Sequence, residues 1–242
     1  MIERSEVRWG GTEIPYVVRR SERRGTVGIA VQPSGAVVLT APRTVSLARL
    51  DGVVRQKAKW IVDRLRRRST VPPPRARELV SGEGFRYLGR QYRLRLLQGD
   101  PVRGIALRGG WLELPVPLDL DGAHQTAYAR AALIDWYVAR ARERLRPWAA
   151  AWAERAQVDF HDVIVADQAK RWGSCSKGGV LRFNWRIIQA PRSLVDYVLA
   201  HEITHIRHEH HGAEFWAALG RIMPDYEDRR ERLRTLGTEL VW

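Results

Sequence analysis

The stretch SLVDYVLAHEITH, residues 193–205, decides the fold of the C-terminal half of this 242-residue chain. Apolar residues fill most positions before His201, and Pro191 favours a helix start just upstream, so the pattern predicts a buried, rigid helix. Residues four apart share one face of a helix, so the imidazoles of His201 and His205 can share one metal ion. Glu202 lies beside that site and within reach of a water on the metal.

A third ligand has to come from the histidines that follow this helix. Catalytic zinc sites usually have three protein ligands and one open position for water. His208 would lie on the same helix face a full turn further along, too far from a metal held about 2.1 Å from the first pair. His210 and His211 remain, and Gly212 indicates a turn, so His211 is the predicted third ligand. The spacing also matches the metzincin proteases, which have Gly where His208 stands, so the turn must differ or His208 must adopt an unusual backbone.

The N-terminal half is predicted to be mostly strands with one long helix. Short apolar or alternating runs predict strands within residues 6–41 and again within 85–115. Apolar residues at helical spacing predict a helix over 45–68, and its basic end suits a helix C-terminus. The prolines at 72–74 break the chain and indicate a linker.

The C-terminal half is predicted to be mostly helical. A helical pattern covers residues 123–157, and Pro147 is expected to end or kink it. Short apolar runs at 162–167 and 180–184 predict two strands. A last set of helices runs from about residue 192 to the C-terminus.

Composition narrows the class of protein. The formal net charge of +14 attracts phosphate-rich partners or acidic surfaces at long range, so a basic surface that binds nucleic acid stays open. Nearly all of the positive charge is Arg, which often reflects a GC-rich coding sequence, and for that reason we discount the charge as evidence for nucleic-acid binding.

A single cysteine, Cys175, excludes an intrachain disulfide. The N-terminus lacks an apolar signal core and no apolar run could span a bilayer, so a soluble cytoplasmic protein with no membrane partner is expected.

Five blocks of a longer pattern stand between residues 171 and 230. They are RWGSCS at 171–176, NWR at 184–186, HEITH at 201–205 with the later His211, FW at 215–216 and PDY at 224–226. Together they resemble the YgjP-like metallopeptidase family, which is related to the SprT-like zinc proteases. The N-terminal half also fits, so the likeness covers nearly the whole chain. Two positions depart from the family pattern: His210 replaces an Asn and Gly212 replaces a Ser, which leaves the metal ligands intact but bears on the local turn.

The resemblance implies an α+β protein and a zinc-dependent hydrolase with one zinc ion. A β-rich N-terminal region, 1–120, would precede a zincin-like metallopeptidase domain, 121–242, with mostly helices and a short antiparallel sheet. Glu202 would be the catalytic base. The substrate would be a polypeptide. Two other functions stay open: a metal-dependent nucleoside triphosphate (UTP) pyrophosphatase, which a basic chain would suit, and a non-catalytic nucleic-acid-binding module.

The segment before the metal helix has two interpretations. Its side chains can line the cleft and bind substrate, with Arg171 holding an anionic group or a developing oxyanion. They can instead serve the fold, with Trp172 packing, Gly173 turning and Ser174 bonded to backbone. Asn184 has the same two alternatives, contact with substrate or support of the neighbouring backbone.

Overall fold

A computed structural model describes residues 2–32, 34–69, 77–168 and 170–240, and the side chains of these apart from residues 2 and 67–69. The chain divides into two compact units, Met1–Arg75 and Ala76–Trp242. The predicted α+β class is confirmed: strands dominate the N-terminal half and helices the C-terminal region. The predicted proline linker at 72–74 lies outside the described residues. No helix within the described ranges combines the length and the apolar character that crossing a membrane requires.

Over residues 2–32 and 34–69, the first unit forms a four-stranded sheet with two α-helices. The strands are β1 (Ile2–Trp9), β2 (Thr12–Arg20), β3 (Gly28–Val31) and β4 (Val37–Ala41), in the order β1-β2-β4-β3, and the helices are α1 (Leu47–Gln56) and α2 (Ala58–Ser69). Alternate residues of β2, namely Ile14, Tyr16 and Val18, are buried with Leu50 and Val54 of α1 in one apolar core.

The sequence predicts one helix over 45–68, and the structure has two. The break falls at Lys57, whose backbone leaves helical geometry at φ −99° and ψ 7°. Its N–H bonds the carbonyls of Arg55 and Val53 and so closes α1. Ala58, Ile61 and Val62 then restart the buried face on α2.

In its described residues, the second unit has two sheets and four α-helices. The elements are β5 (Gly84–Tyr87), β6 (Arg90–Gln98), β7 (Ala106–Arg108), β8 (Trp111–Val116), α3 (Gly122–Ala156), β9 (Asp162–Ala166), β10 (Gly173–Cys175), β11 (Val180–Asn184), α4 (Arg192–Thr204), α5 (Ala213–Ile222) and α6 (Tyr226–Leu236). The sheet orders are β5-β6-β8-β7 and β10-β11-β9. Helix α4 packs against α3, β10, α5 and α6 and is therefore the central element of this unit.

Helix α3 runs unbroken through Pro147 over 35 residues. Proline removes one helical hydrogen bond, which is the basis for expecting an end there. Leu145 and Ala149, on either side of it, are fully buried. Tertiary packing on both sides therefore keeps the helix continuous.

The short sheet of the second unit is mixed, and its prediction as antiparallel is wrong. Strands β10 and β11 are antiparallel, but β11 and β9 are parallel. The chain reverses direction between β9 and β10 and again between β10 and β11, so β9 and β11 run in the same direction. Strand β10 is left at the edge of the sheet, beside α4.

The boundary between the two compact units falls at 75/76 in the sequence, whereas the predicted domain boundary is at 120/121. Phe85, Leu94 and Leu112 of the second sheet share one buried core with Tyr137 and Leu145 of α3. The boundary at 120/121 therefore falls inside a continuous core.

Candidate metal centre

Helix α4 presents two histidines near its C-terminal end. Leu194, Val195 and Leu199 are almost completely buried, so the helix is fixed in the core of the second unit. His201 lies in the last turn, and His205 is the residue that ends the helix. Their ring centroids are 5.0 Å apart.

His211 completes a cluster of three imidazoles. Its Nε2 lies 2.9 Å from Nε2 of His201 and 3.1 Å from Nε2 of His205. One ligand atom from each residue lies within 4.8 Å of the others, so the three can hold a metal ion. The chain returns to the helix after a short irregular segment, as the turn at Gly212 predicts.

The ring of His205 is oriented by the main chain of His208. Nδ1 of His205 lies 2.9 Å from the His208 carbonyl oxygen. A carbonyl only accepts hydrogen bonds, so Nδ1 carries the proton and Nε2 keeps a free lone pair toward the cluster. Such partners fix the tautomer of metal-binding histidines.

His208 contributes its backbone to the site and keeps its side chain outside the cluster. It was expected one turn along the same helix face, but α4 ends at Thr204, so it is not helical. Its φ is not positive, unlike that of Leu79, Leu88 and Gln157. The turn therefore differs from one built around a left-handed glycine.

His211 is exposed, and Trp216 supports it. Nε1 of Trp216 donates to the carbonyl oxygen of His211 at 3.1 Å, and the two rings stack with centroids 5.5 Å apart. Tyr226 stacks on Trp216, also at 5.5 Å, and the Arg230 guanidinium lies 5.1 Å from the Trp216 ring. This stack was not predicted from the sequence, although Trp216 belongs to the FW block.

His201 is the most deeply set of the three ligands. Burial, followed by the neighbouring histidines, lowers its pKa to about 3, so the ring is neutral and able to bind a metal. The rings of Phe215 and Tyr197 lie against it, with centroids 4.9 and 5.8 Å from the His201 centroid. Its Nδ1 is buried with no hydrogen-bond partner among the described residues, so packing orients this ring. Tyr197 was not predicted, although it stands one helical turn before His201.

Glu202 is buried beside the cluster, with only 6% of its surface exposed. Burial raises the pKa of its carboxyl to about 8, while Arg171 opposes that shift. A carboxyl with a pKa near neutrality is suited to accepting and returning a proton. Gly173 on β10 faces it so closely that a Cβ there would lie 2.6 Å from Cγ of Glu202 and 2.7 Å from Oε1.

The cluster opens into a cleft of about 540 Å³. One wall is formed by Arg171 and by residues 173–177, which include β10. The other wall holds the three histidines of the cluster, Glu202 and Glu209. Burial raises the pKa of the Cys175 thiol, and the charge of Glu202 adds to this.

The five predicted substrate-binding residues divide into two groups. Arg171, Gly173 and Ser174 line the cleft. Asn184 is buried away from it: Nδ2 donates to the Gln168 carbonyl at 2.7 Å, and Oδ1 accepts from N–H of Arg186 at 3.0 Å.

Trp172 is also outside the cleft lining. It packs against the core of the second unit, next to Gly237. In the structure Trp172 and Asn184 therefore support the segment that carries Arg171 and leads into β10 at Gly173.

Three comparisons with known proteins were made, with family models, solved structures and curated proteins. The model of the YgjP-like metallopeptidase domain matches residues 25–236. Two archaeal crystal structures of metallopeptidase zymogens also match: Pyrococcus abyssi abylysin (16% identity, 38% of this chain and 92% of that chain, TM-score 0.36) and Methanocaldococcus jannaschii jannalysin (15%, 38% and 94%, 0.35). No curated protein matches the sequence.

Proposed function

The chain belongs to the YgjP-like metallopeptidase family, and from that premise we propose that it is a zinc-dependent peptidase with Glu202 as its general base. The observation that carries the proposal is the convergence of three imidazole Nε2 atoms beside a buried carboxyl. His201, His205 and His211 would hold one zinc ion, and Glu202 would remain free of it.

The donor set suits zinc. Three neutral imidazoles leave a fourth position open, as in catalytic zinc sites. Nitrogens around one tetrahedral zinc are about 3.4 Å apart, given bonds of about 2.1 Å. Two of the Nε2 separations are 2.9 and 3.1 Å, so the rings need to part by only a few tenths of an ångström. When bound, zinc supplies a Lewis acid that polarises a carbonyl and lowers the pKa of a water to about 7.

Glu202 would move the proton. Its carboxylate would accept a proton from the attacking water and pass it to the nitrogen of the leaving amine. Its raised pKa supports both steps, because the group gains and loses a proton near neutral pH. Arg171 lies on the same cleft wall as Gly173. It would bind an anionic group of the substrate or the developing oxyanion.

The open edge of β10 favours a polypeptide substrate. The Trp172 carbonyl accepts from Asn184 N–H, and Ser176 N–H donates to the Val180 carbonyl, so even-numbered residues bond toward β11. Backbone groups alternate along an antiparallel strand, so those of Gly173 and Cys175 face away from β11. Within the described residues no strand pairs with that side. An extended peptide can add to such an edge.

The cleft favours a nucleoside triphosphate less. Its walls carry Arg171 and Lys177 but also Glu202 and Glu209. Lys177 pairs with Glu209 at 3.5 Å. With Lys177 paired to a carboxylate, the lining offers little positive charge for the binding of several phosphates.

The test is an activity screen of zinc-loaded protein against two substrates. Cleavage of a labelled unfolded protein and pyrophosphate release from UTP are measured for the wild type and for Glu202→Gln. The proposal expects proteolysis that Glu202→Gln abolishes while zinc stays bound. Pyrophosphate release without proteolysis would overturn it, as would wild-type proteolysis in His201→Ala.

A further inference from the structure

The positive charge of the chain is concentrated in the first compact unit. Residues 1–75 carry 16 Lys and Arg against six Asp and Glu, a net charge of +10. The remaining 167 residues carry 25 against 21, a net charge of +4. A GC-rich coding sequence would enrich Arg along the whole chain, so coding bias does not account for this concentration.

The two helices of this unit carry much of that charge. Residues 47–69 contain eight Lys and Arg and only two Asp. Asp51 is engaged by the Tyr16 hydroxyl at 2.6 Å. Among the side chains that the structure describes, Asp63 forms a long, exposed pair with Lys59, at 3.5 Å. The acidic groups therefore neutralise little of the basic charge on the helices.

One exposed aromatic side chain lies among these cations. Trp60 is 46% exposed on α2. Trp60 and Arg64 are four residues apart on α2 and share one helix face. Lys57 directly precedes α2, where its carbonyl accepts from Ile61 N–H at 2.9 Å, so it lies at the start of the same helix. Lys57 and Arg64 are both exposed and form no ion pair within the described ranges. We call these three residues the basic helix surface.

The apolar residues of α2 are directed elsewhere. Ala58, Ile61 and Val62 are buried in the core of the first unit. A helix that binds in a membrane interface needs an apolar face directed outward. Trp60 alone does not form such a face. Cations around a flat, exposed aromatic ring are instead the arrangement that binds single-stranded nucleic acid, with phosphates on the cations and a base stacked on the ring.

We propose that the basic helix surface binds single-stranded nucleic acid, RNA or DNA, and so holds the chain on a nucleic-acid partner. Lys57 and Arg64 contact phosphates on either side of a base that stacks on Trp60. All three residues belong to the first unit, and none of them is a residue of the metal centre. The contacts are to backbone phosphate and to a base face, so binding has little sequence preference.

The test measures binding of the full chain to labelled 12-nucleotide RNA and DNA strands over a range of salt concentrations. Lys57→Gln with Arg64→Gln should reduce the slope of log affinity against log salt by about 1.4, since each phosphate contact in single strands contributes about 0.7. Trp60→Ala should weaken binding by about 5- to 150-fold at fixed salt and leave the slope nearly unchanged. Whichever strand binds more tightly, RNA or DNA, identifies the nucleic acid that this surface prefers.

A matched control is Arg103→Gln with Arg142→Gln, which removes the same charge from exposed positions of the second unit. It should retain both affinity and slope. Circular dichroism and thermal unfolding check that every variant folds, and Trp60→Phe, which keeps a stacking ring, should recover most of the affinity. The proposal fails if the control weakens binding equally, if duplex DNA binds as tightly as the single strands, or if anionic phospholipid vesicles bind and the oligonucleotides do not.

Discussion

Gly173 and Glu202 occupy adjoining space so closely that no side chain fits between them. A Cβ on Gly173 would lie 2.6 Å from Cγ of Glu202, well inside van der Waals contact. Strand β10 thus contacts helix α4 at Gly173, which has no side chain, and the buried carboxyl of Glu202 occupies the space beside it. The glycine of the RWGSCS block lets the edge strand pass directly over that carboxyl.

Gly173→Ala should therefore displace Glu202 and reduce peptidase turnover by about 10²-fold, the effect expected of a 1 Å misplacement. Bound zinc should be unchanged, because the three histidines are not touched. Gly178→Ala is the matched control: the nearest atom to its Cβ would be 4.0 Å away. Equal turnover in the two variants would contradict the packing described for Glu202.

Glu202→Gln should keep zinc and lower turnover by about 10²- to 10⁴-fold, the usual contribution of a general base. Zinc content is measured by elemental analysis and turnover on a labelled unfolded protein. Glu209→Gln, at the exposed end of the same cleft, serves as the control and should retain most of the activity. Loss of zinc from Glu202→Gln would assign this carboxyl to the metal.

The metal-free protein should show the burial of Glu202 in its pH dependence. Its carboxyl has a pKa of about 8 in the folded chain against 4.5 for the ordinary group. Between these values the folded state binds more protons than the unfolded state, so this group lowers the free energy of unfolding as pH rises. The amide in Glu202→Gln does not titrate. The free energy of unfolding of this variant, relative to that of the wild type, should therefore increase from about pH 4.5 to about pH 8. Urea unfolding of chelator-treated proteins measures this, and a constant gap would argue against burial.

The histidines after α4 should differ sharply in their effect on metal binding. His211→Ala removes an Nε2 ligand and should lose zinc on dialysis. His208→Ala should retain it, because the His205 ring is held by the main-chain carbonyl of residue 208, which the substitution keeps. His210→Ala is an exposed control. Zinc loss in His208→Ala equal to that in His211→Ala would disprove the assignment of the third ligand.

Trp216 should act on the metal through His211. Trp216→Leu removes both the stack and the N–H donor and should weaken zinc affinity by about 10- to 100-fold, as loss of outer-shell partners does. Trp216→Phe keeps a stacking ring and should fall between that variant and wild type. Chelator competition measures affinity, and Trp148→Leu, which removes a ring that lies against Arg192 in the same unit, is the control. If affinity falls only in step with metal-free stability, Trp216 serves the fold alone.

Much of this protein is determined by local sequence. The spacing of His201, Glu202 and His205 and the apolar residues before them predict the helix and its metal face, because helical periodicity fixes which side chains share a side. The turn at Gly212 also indicates the return of His211. The strands and the α+β class follow from apolar periodicity in the same way.

Tertiary structure decided the features that local patterns do not encode. Buried neighbours kept α3 continuous through Pro147, and the reversal of the chain at β10 made the last sheet mixed. Because α4 ends at Thr204, His208 does not lie on the helix face, and its main-chain carbonyl instead orients the His205 ring. The contacts of Gly173 with Glu202 and of Trp216 with His211 join residues whose proximity depends on how separate elements pack or on how an irregular segment returns. Periodicity describes only one element at a time, so the sequence predicts the ligands, and packing decides how they are held.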